Sequence, residues 1–453
     1  MHKFDIAIIG GGAAGLVTAS VAAQLGYSVV LFEKGEMGGD CLNSGCVPSK
    51  ALLSASAKGL SFKEAMNQVN HSIETIAPHD SVERFEGLGV TVIQEEAHFI
   101  DRHSIEAGGT IYTAKRYVIA AGSTAAIPPI DGLGDVPYLT NESLFKLGEQ
   151  PKHLIIIGGG PIGCEMADAF QGLGTQVTLI EGAPDILPRD DPDARAIVRD
   201  ALIQKGVNIH TGAQVKNVSG SKTAVTVSTS VGDIKGSHLL LATGRAPSVH
   251  SMSLDKAGVA YTARGIDVNG SNQTSVKHIY ALGDITGKHP FTHMAAYDAS
   301  LFIKSVLFGA FTAKENLKAM PWVTYTSPEL AQVGLTEEEA KAKHPDAQVI
   351  RVNFSEMDRA ITEGDTTGFC KVIINKKSRI LGATIVGSHA GEFLPLFCYM
   401  IHHDKKFGTL SGITWAYPTR GELYGKLISK HSSPLLKKGS VRVISRVMYR
   451  LFG

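Results

Sequence analysis

A surplus of charge of either sign is missing from this chain: 44 lysines and arginines stand against 43 acidic residues, a formal net charge of +1. Such a balance gives no general pull toward nucleic acid. Long apolar runs are missing too, and no stretch of about 18 apolar residues suggests a membrane span. The first strand pattern begins by Asp5, which leaves no room for a secretory signal peptide. Cysteine is scarce. Five in 453 residues are too few and too scattered for a secreted disulfide scaffold, so a reducing cytoplasm is the expected setting. Cys164, Cys370 and Cys398 read as small buried hydrophobes rather than as chemistry. What remains is an ordinary globular composition, 43% hydrophobic, in a chain long enough for about three domains.

Against that background two windows repeat one another. Asp5 to Ile9 reads as a buried strand, Gly10-x-Gly12-x-x-Gly15 opens a helix, and Val29 to Phe32 forms a second strand ending in Glu33. The three glycines serve the tight turn, the close approach of backbone to a pyrophosphate, and the packing of helix on strand. The pyrophosphate meets the helix N-terminus, while the acid takes ribose hydroxyls. The same order recurs as Ile156-Ile157-Gly158-x-Gly160-x-x-Gly163 through Glu181, and the step from first glycine to acid is 23 residues in both copies. Two dinucleotides are implied. A second echo, Ala120-Ala121-Gly122 and Ala242-Thr243-Gly244, closes each unit after an apolar strand.

A few residues beyond Glu33 stands Gly39-Asp40-Cys41-Leu42-Asn43-Ser44-Gly45-Cys46-Val47-Pro48-Ser49-Lys50. By spacing alone the two cysteines could be a chance buried pair or metal ligands, although zinc sites prefer shorter spacings and no second Cys/His cluster appears. Taken with the dinucleotide unit beside it, the stretch resembles the class I FAD-dependent pyridine nucleotide-disulfide oxidoreductases, the family of lipoamide dehydrogenase, glutathione reductase and mercuric reductase. The resemblance covers nearly the whole chain. It implies an α/β fold with two Rossmann-like dinucleotide-binding domains, for FAD and for NAD, plus a C-terminal α+β dimerisation domain. The expected boundaries are 1–150 with 275–320 for FAD, 151–274 for the nicotinamide nucleotide, 321–435 for dimerisation, and a basic amphipathic tail over 436–453. The product would be a homodimer with an active site shared between subunits.

Site roles follow from the resemblance position by position. Cys46 matches the flavin-proximal thiol and Cys41 the interchange thiol; a helix N-terminus would help to hold Cys46 as a thiolate. Lys50 is expected to pair with Glu165 near the flavin. Asp284, in Leu282-Gly283-Asp284 after an apolar strand, resembles the second flavin motif, with a plain surface turn as the alternative. Gly10, Gly12, Gly15, Glu33 and Gly122 are expected around FAD, and Gly158, Gly160, Gly163, Glu181 and Gly244 around the nicotinamide nucleotide. Gly182, Ala183 and Pro184 follow Glu181 with no arginine to neutralise a 2′-phosphate, so NADH is expected over NADPH.

One departure bears on the substrate. Most of the family carries a His-Pro-Thr-x-x-Glu segment whose histidine serves the partner subunit's thiols as acid and base. Here the run is Tyr417-Pro418-Thr419-Arg420-Gly421-Glu422, so the resemblance implies that Tyr417 acts at the partner subunit's disulfide, as a hydrogen-bond donor or metal-site neighbour held by Glu422. A phenol ordinarily stays protonated at neutral pH, where imidazole titrates. Mercuric reductases share a tyrosine here, yet they end in a vicinal cysteine pair, whereas this chain ends Arg450-Leu451-Phe452-Gly453. The resemblance therefore implies an NAD(P)H-dependent, FAD-containing disulfide or metal oxidoreductase, either mercuric reductase-like or dihydrolipoamide dehydrogenase-like, with no resident metal. Two rivals remain: a membrane-associated NADH:quinone-type dehydrogenase and a flavin redox sensor without turnover. From Leu423 to Gly453 there are seven Lys or Arg and no acid. That tail suits an anionic membrane surface, a partner protein, or its own domain.

Overall fold

The computed structural model describes residues 2–221, 223–310 and 313–453. They form two compact units, Met1–Gly182 with Ile209–Glu315 and Ala183–Asn208 with Asn316–Gly453.

The first unit is built on a strand, His2–Ile9, whose second half, Ile6 to Ile9, is apolar and buried on both faces. Ile6 and Ile8 join one core cluster with Ala19 and Leu31, and Ala7 and Ile9 join another with Phe99 and Tyr117. Burial on both sides is what a parallel sheet covered by helices requires. The strand pairs in parallel with Val29–Phe32 and with Thr110–Ile119. Val90–Ile93 extends one edge, and Ser104–Ala107 and Ala97–Asp101 the other. Ile279–Ala281 then returns from far along the chain to pair in parallel with Thr110–Ile119, matching Ala281 to Ile119. This carries the segment of Asp284 to the same sheet end as the first glycine loop.

The same unit contains the second copy. Its sheet runs Asn208–His210, Gln176–Ile180, His153–Ile157, His238–Leu241, beside an antiparallel sheet of Val215–Ser221, Ala224–Thr229 and Gly232–Gly236. The two closing turns are tied by a short antiparallel ribbon, Ser123–Ala125 on Arg245–Pro247.

The second unit holds a five-stranded antiparallel sheet in the order Pro321–Thr324, Glu329–Gly334, Ile380–Gly387, Phe369–Ile374, Gln348–Asn353. The helix Pro192–Gln204, inside the range expected for the nicotinamide domain, belongs here. The cause is electrostatic as well as apolar. Buried Lys371 reaches Asp191 at 3.0 Å, Asp193 at 2.9 Å and Glu337 at 2.7 Å, and the Trp322 indole donates to Asp190 at 2.8 Å. A buried ammonium needs its partners, and two of the three, Asp191 and Asp193, come from the N-cap and first turn of that helix, while Glu337 begins the helix Glu337–Lys343. The unit ends in two helices, Glu422–Leu436 and Gly439–Phe452, broken at Lys437 and Lys438. Among the described residues, no helix is long and apolar enough to cross a membrane.

Candidate active site

The two glycine loops are near copies in space. Gly10 and Gly158 sit at φ of +110° and +111°, where a side chain would also drive its Cβ to 2.3 Å from the carbonyl oxygen of Ala120 and of Ala242 respectively. Only glycine fits. A Cβ on Gly15 would likewise fall 1.9 Å from the Gly10 oxygen, and one on Gly163 would fall 1.8 Å from the Gly158 oxygen. A Cβ on the middle glycine Gly160 would meet nothing within 4 Å, and one on Gly12 would meet only the Gly39 Cα, at 3.9 Å. Each is the N-cap of its helix, Ala13–Gln24 or Pro161–Gly172, with no side-chain cap and no acid in the first turn. Uncapped N–H groups facing open space are what a pyrophosphate needs. Glu33 accepts from the Gly11 amide at 2.6 Å and from Gly35 at 2.8 Å; Glu181 accepts from the Gly159 amide at 2.6 Å. Gly122 and Gly244 also adopt positive φ, in the turns that the ribbon joins. Both loops fit a dinucleotide.

The cysteine segment is seated on the first loop by contact of glycine on glycine. A Cβ on Gly39 would meet the Gly12 Cα at 2.9 Å, so the chain can pass this close only bare. It then forms the short helix Gly39–Asn43, which carries Cys41, and restarts at Cys46 as the helix Cys46–Ala57. The thiols of Cys41 and Cys46 are hydrogen-bonded to one another, and Thr292 stands 3.3 Å from the Cys46 sulfur. The hydrogen bond from Cys41, aided by Thr292 and by the Lys50 charge, outweighs burial and lowers the Cys46 thiol to about 6. The same hydrogen bond, with burial, pushes Cys41 well above the ordinary thiol range. Between the two sulfurs, these interactions favour the negative charge on Cys46.

Lys50 lies one turn along the helix from Cys46, and its ammonium donates to Glu165 at 2.8 Å. The two helices meet closely: a Cβ on Gly172 would lie 2.2 Å from the Ser56 hydroxyl. That approach brings Lys50 against the buried Glu165. An open cavity of about 420 Å³ lies beside them, lined by Cys46, Lys50, Ser54, Gln68, Ser72 and Ile76 among others.

Asp284 sits in the turn Gly283–Thr286 and accepts from the Ser123 hydroxyl at 2.6 Å. Burial raises its carboxyl above the usual range, against the pull of Ser123 and Arg245. Arg245 donates to Ser123 at 2.7 Å and pairs with Asp40, the residue before Cys41. Asp40 also accepts from Ser44 at 2.6 Å. Sequence reasoning missed this group, and it missed Thr292. The only sign was adjacency: Asp40 touches Cys41 in the chain, and Arg245 follows Gly244.

Tyr417 and Glu422 lie in the second unit. Tyr417 is 72% exposed, and its hydroxyl donates to Asp358 at 3.1 Å, while Asp358 is also paired with Lys426 at 3.1 Å. Glu422 was expected to hold the Tyr417 hydroxyl. It is instead buried and accepts from the backbone amide of Arg359 at 3.0 Å. Its carboxylate is thereby spent on the helix Asp358–Glu363. The hydrogen bond to Asp358 raises the Tyr417 phenol above its ordinary value. Among the described residues, no group of three or more His, Cys, Asp or Glu is placed to hold a metal ion.

Residues 4–299 match the family model for pyridine nucleotide-disulphide oxidoreductases, and residues 320–428 match the dimerisation domain of the same family. The chain belongs to that family. It is 34% identical to a mercuric reductase of Bacillus cereus over 434 residues, covering 91% of this chain and 68% of the relative. It is 33% identical to a dihydrolipoyl dehydrogenase of Staphylococcus aureus over 448 residues, covering 92% and 94%. Among solved structures, the HOCl-induced flavoprotein disulfide reductase RclA from Escherichia coli superposes with a TM-score of 0.88 at 29% identity, covering 94% of this chain and 99% of that one. The expected α/β fold with its dimerisation domain therefore holds, and this pyridine nucleotide-disulphide oxidoreductase is an FAD-containing, NAD(P)H-dependent enzyme.

Proposed function

We propose that this enzyme uses NADH to reduce a thiol-bound soft metal ion through Cys41 and Cys46, in a reducing cytoplasm. The observation that carries the choice of acceptor is where the protons sit. Opening a Cys41–Cys46 disulfide takes two electrons and one proton, leaving Cys46 as thiolate and Cys41 as thiol. FAD, when bound, supplies the relay of that electron pair from NADH. Gly10, Gly12, Gly15, Glu33, Gly122 and Asp284 would hold it, and the Lys50 charge, kept in place by Glu165, favours negative charge developing there.

An acceptor disulfide would require Cys41 to lose its proton and attack. Cys41 is pushed up, and Tyr417, read as acting at the partner subunit's thiols, is pushed up as well. A phenol held protonated by Asp358 is a poor base for a thiol. A soft metal ion needs none, because it displaces the thiol proton as it binds. The two sulfurs would then hold the ion as substrate. Relatives support this reading: mercuric reductases share a third of the sequence, and RclA is known in a Cu(II) complex.

The test is a panel of acceptors with FAD-loaded protein and NADH: mercuric and cupric ions presented as thiol complexes, lipoamide, and glutathione disulfide. Metal reduction should exceed disulfide reduction, and lipoamide turnover at enzyme-like rates of roughly 10 per second or more would overturn the reading. Tyr417→His restores a group that titrates near neutrality and should raise lipoamide reduction by at least about tenfold. No gain would show that the tyrosine is not what limits disulfide exchange.

NADH should be preferred to NADPH by at least about tenfold, on the order of 1.4 kcal/mol, because a 2′-phosphate would face the Glu181 carboxylate. Gly182, Ala183 and Pro184 add no positive charge, and the Arg189 guanidinium stands 5.9 Å over the Trp322 ring. Steady-state kinetics with both donors decides it; equal kcat/KM for the two would refute the assignment.

A further inference from the structure

The helix Gly439–Phe452 has an apolar face left uncovered among the described residues. Val443, Ile444, Val447, Met448, Leu451 and Phe452 are all exposed, Phe452 by 80%. At 100° per residue these six span about half of the helix circumference. Arg442, Arg446 and Arg450 form the opposite ridge at steps of four, and Lys437 and Lys438 stand at the break before the helix. No acid occurs anywhere from Leu423 to Gly453.

We propose that this helix binds the surface of an anionic lipid bilayer, lying in the interfacial plane with its apolar half among the acyl chains and its arginines at the phosphates. The charge pattern selects that occupant. Arginines at i, i+4 and i+8 repel one another along an isolated helix, and nearby negative charge relieves that repulsion. None of the helix's own neighbours in sequence supplies it. Two copies packed apolar face to apolar face would leave the arginines on the outer sides of the pair with no carboxylate beside them, whereas an anionic surface supplies the missing charge. A helix of 14 residues rises about 21 Å, too short to span a bilayer and interrupted by three arginines, but well suited to lie on one. The tail alone carries this inference, whichever acceptor the enzyme reduces.

The test uses the full-length, FAD-loaded protein and sedimentation with lipid vesicles. Binding should be at least tenfold stronger on phosphatidylcholine vesicles containing about 30% phosphatidylglycerol than on phosphatidylcholine alone, and should weaken as salt rises. The triple variant Arg442→Glu/Arg446→Glu/Arg450→Glu and the double variant Val447→Asp/Met448→Asp should each lose that binding at least tenfold while NADH oxidation with any working acceptor stays unchanged. Failure of the native protein to bind anionic vesicles overturns the inference, as does binding that both variants retain. If Val447→Asp/Met448→Asp instead lowers the assembled mass in sedimentation velocity while vesicle binding is absent, the face belongs to a second copy of the chain and the inference falls.

Discussion

Cys46→Ser is expected to leave an enzyme that binds FAD but lacks the long-wavelength absorption expected of the native protein on anaerobic reduction by NAD(P)H. Reduction of any acceptor through the cysteine pair falls by roughly a thousandfold or more, ~4 kcal/mol of transition-state free energy. The deciding feature is which sulfur carries negative charge. Cys46 begins its helix without a capping side chain, receives the hydrogen bond of Cys41 and lies near Lys50, so its thiol titrates at about 6. The thiolate is the species present above that value and lost below it. In the native enzyme the absorption should therefore fade as pH drops through about 6 and stay level above about 7. Cys41→Ser should keep the absorption and lose acceptor turnover. If Cys46→Ser retains the absorption, the roles given to the two thiols are reversed.

Lys50→Met is expected to slow reduction of the enzyme by NAD(P)H by about 10- to 100-fold, on the order of 1.4–3 kcal/mol. The lower part of that range is the safer expectation, because Lys50 is 36% exposed and solvent screens part of its charge. The substitution takes from buried Glu165 the ammonium that stood 2.8 Å away. It also moves the Cys46 titration in a direction that separates electrostatics from loss of structure. Lys50 lowers the Cys46 thiol and Glu165 raises it. Lys50→Met should shift the pH midpoint of the absorption up, and Glu165→Gln should shift it down. Stopped-flow reduction and a pH titration of each variant are the measurements; equal shifts of the same sign would sink the pairing as the source of the effect.

The parts of this enzyme that were legible in the sequence are those whose cause is local. Gly10 and Gly15, like Gly158 and Gly163, are required because a Cβ would strike a named backbone atom, and the helix that each loop opens follows within a few residues. The strand expected over Val29 to Phe32 is buried at all four positions, as its apolar run requires. The Lys50–Glu165 pair spans 115 residues and was legible only through resemblance to a family, since nothing in either window points to the other.

Other partners came from the packing of distant segments. Arg245 reaches Asp40 across 205 residues because the ribbon joining the two closing turns carries it toward the cysteine segment. Thr292 meets Cys46 across 246 residues. Tyr417 finds Asp358 rather than Glu422 because the buried Glu422 carboxylate is already engaged by the Arg359 amide. Two dinucleotide loops could be read from residue order, because glycine sterics act over a few bonds; the redox role of the cysteine pair and the phenol in place of an imidazole were legible only through the family resemblance. Which sulfur holds the proton, and whether the phenol can take it, depended on charges and hydrogen bonds brought together from far along the chain, and only the packed chain fixes those distances.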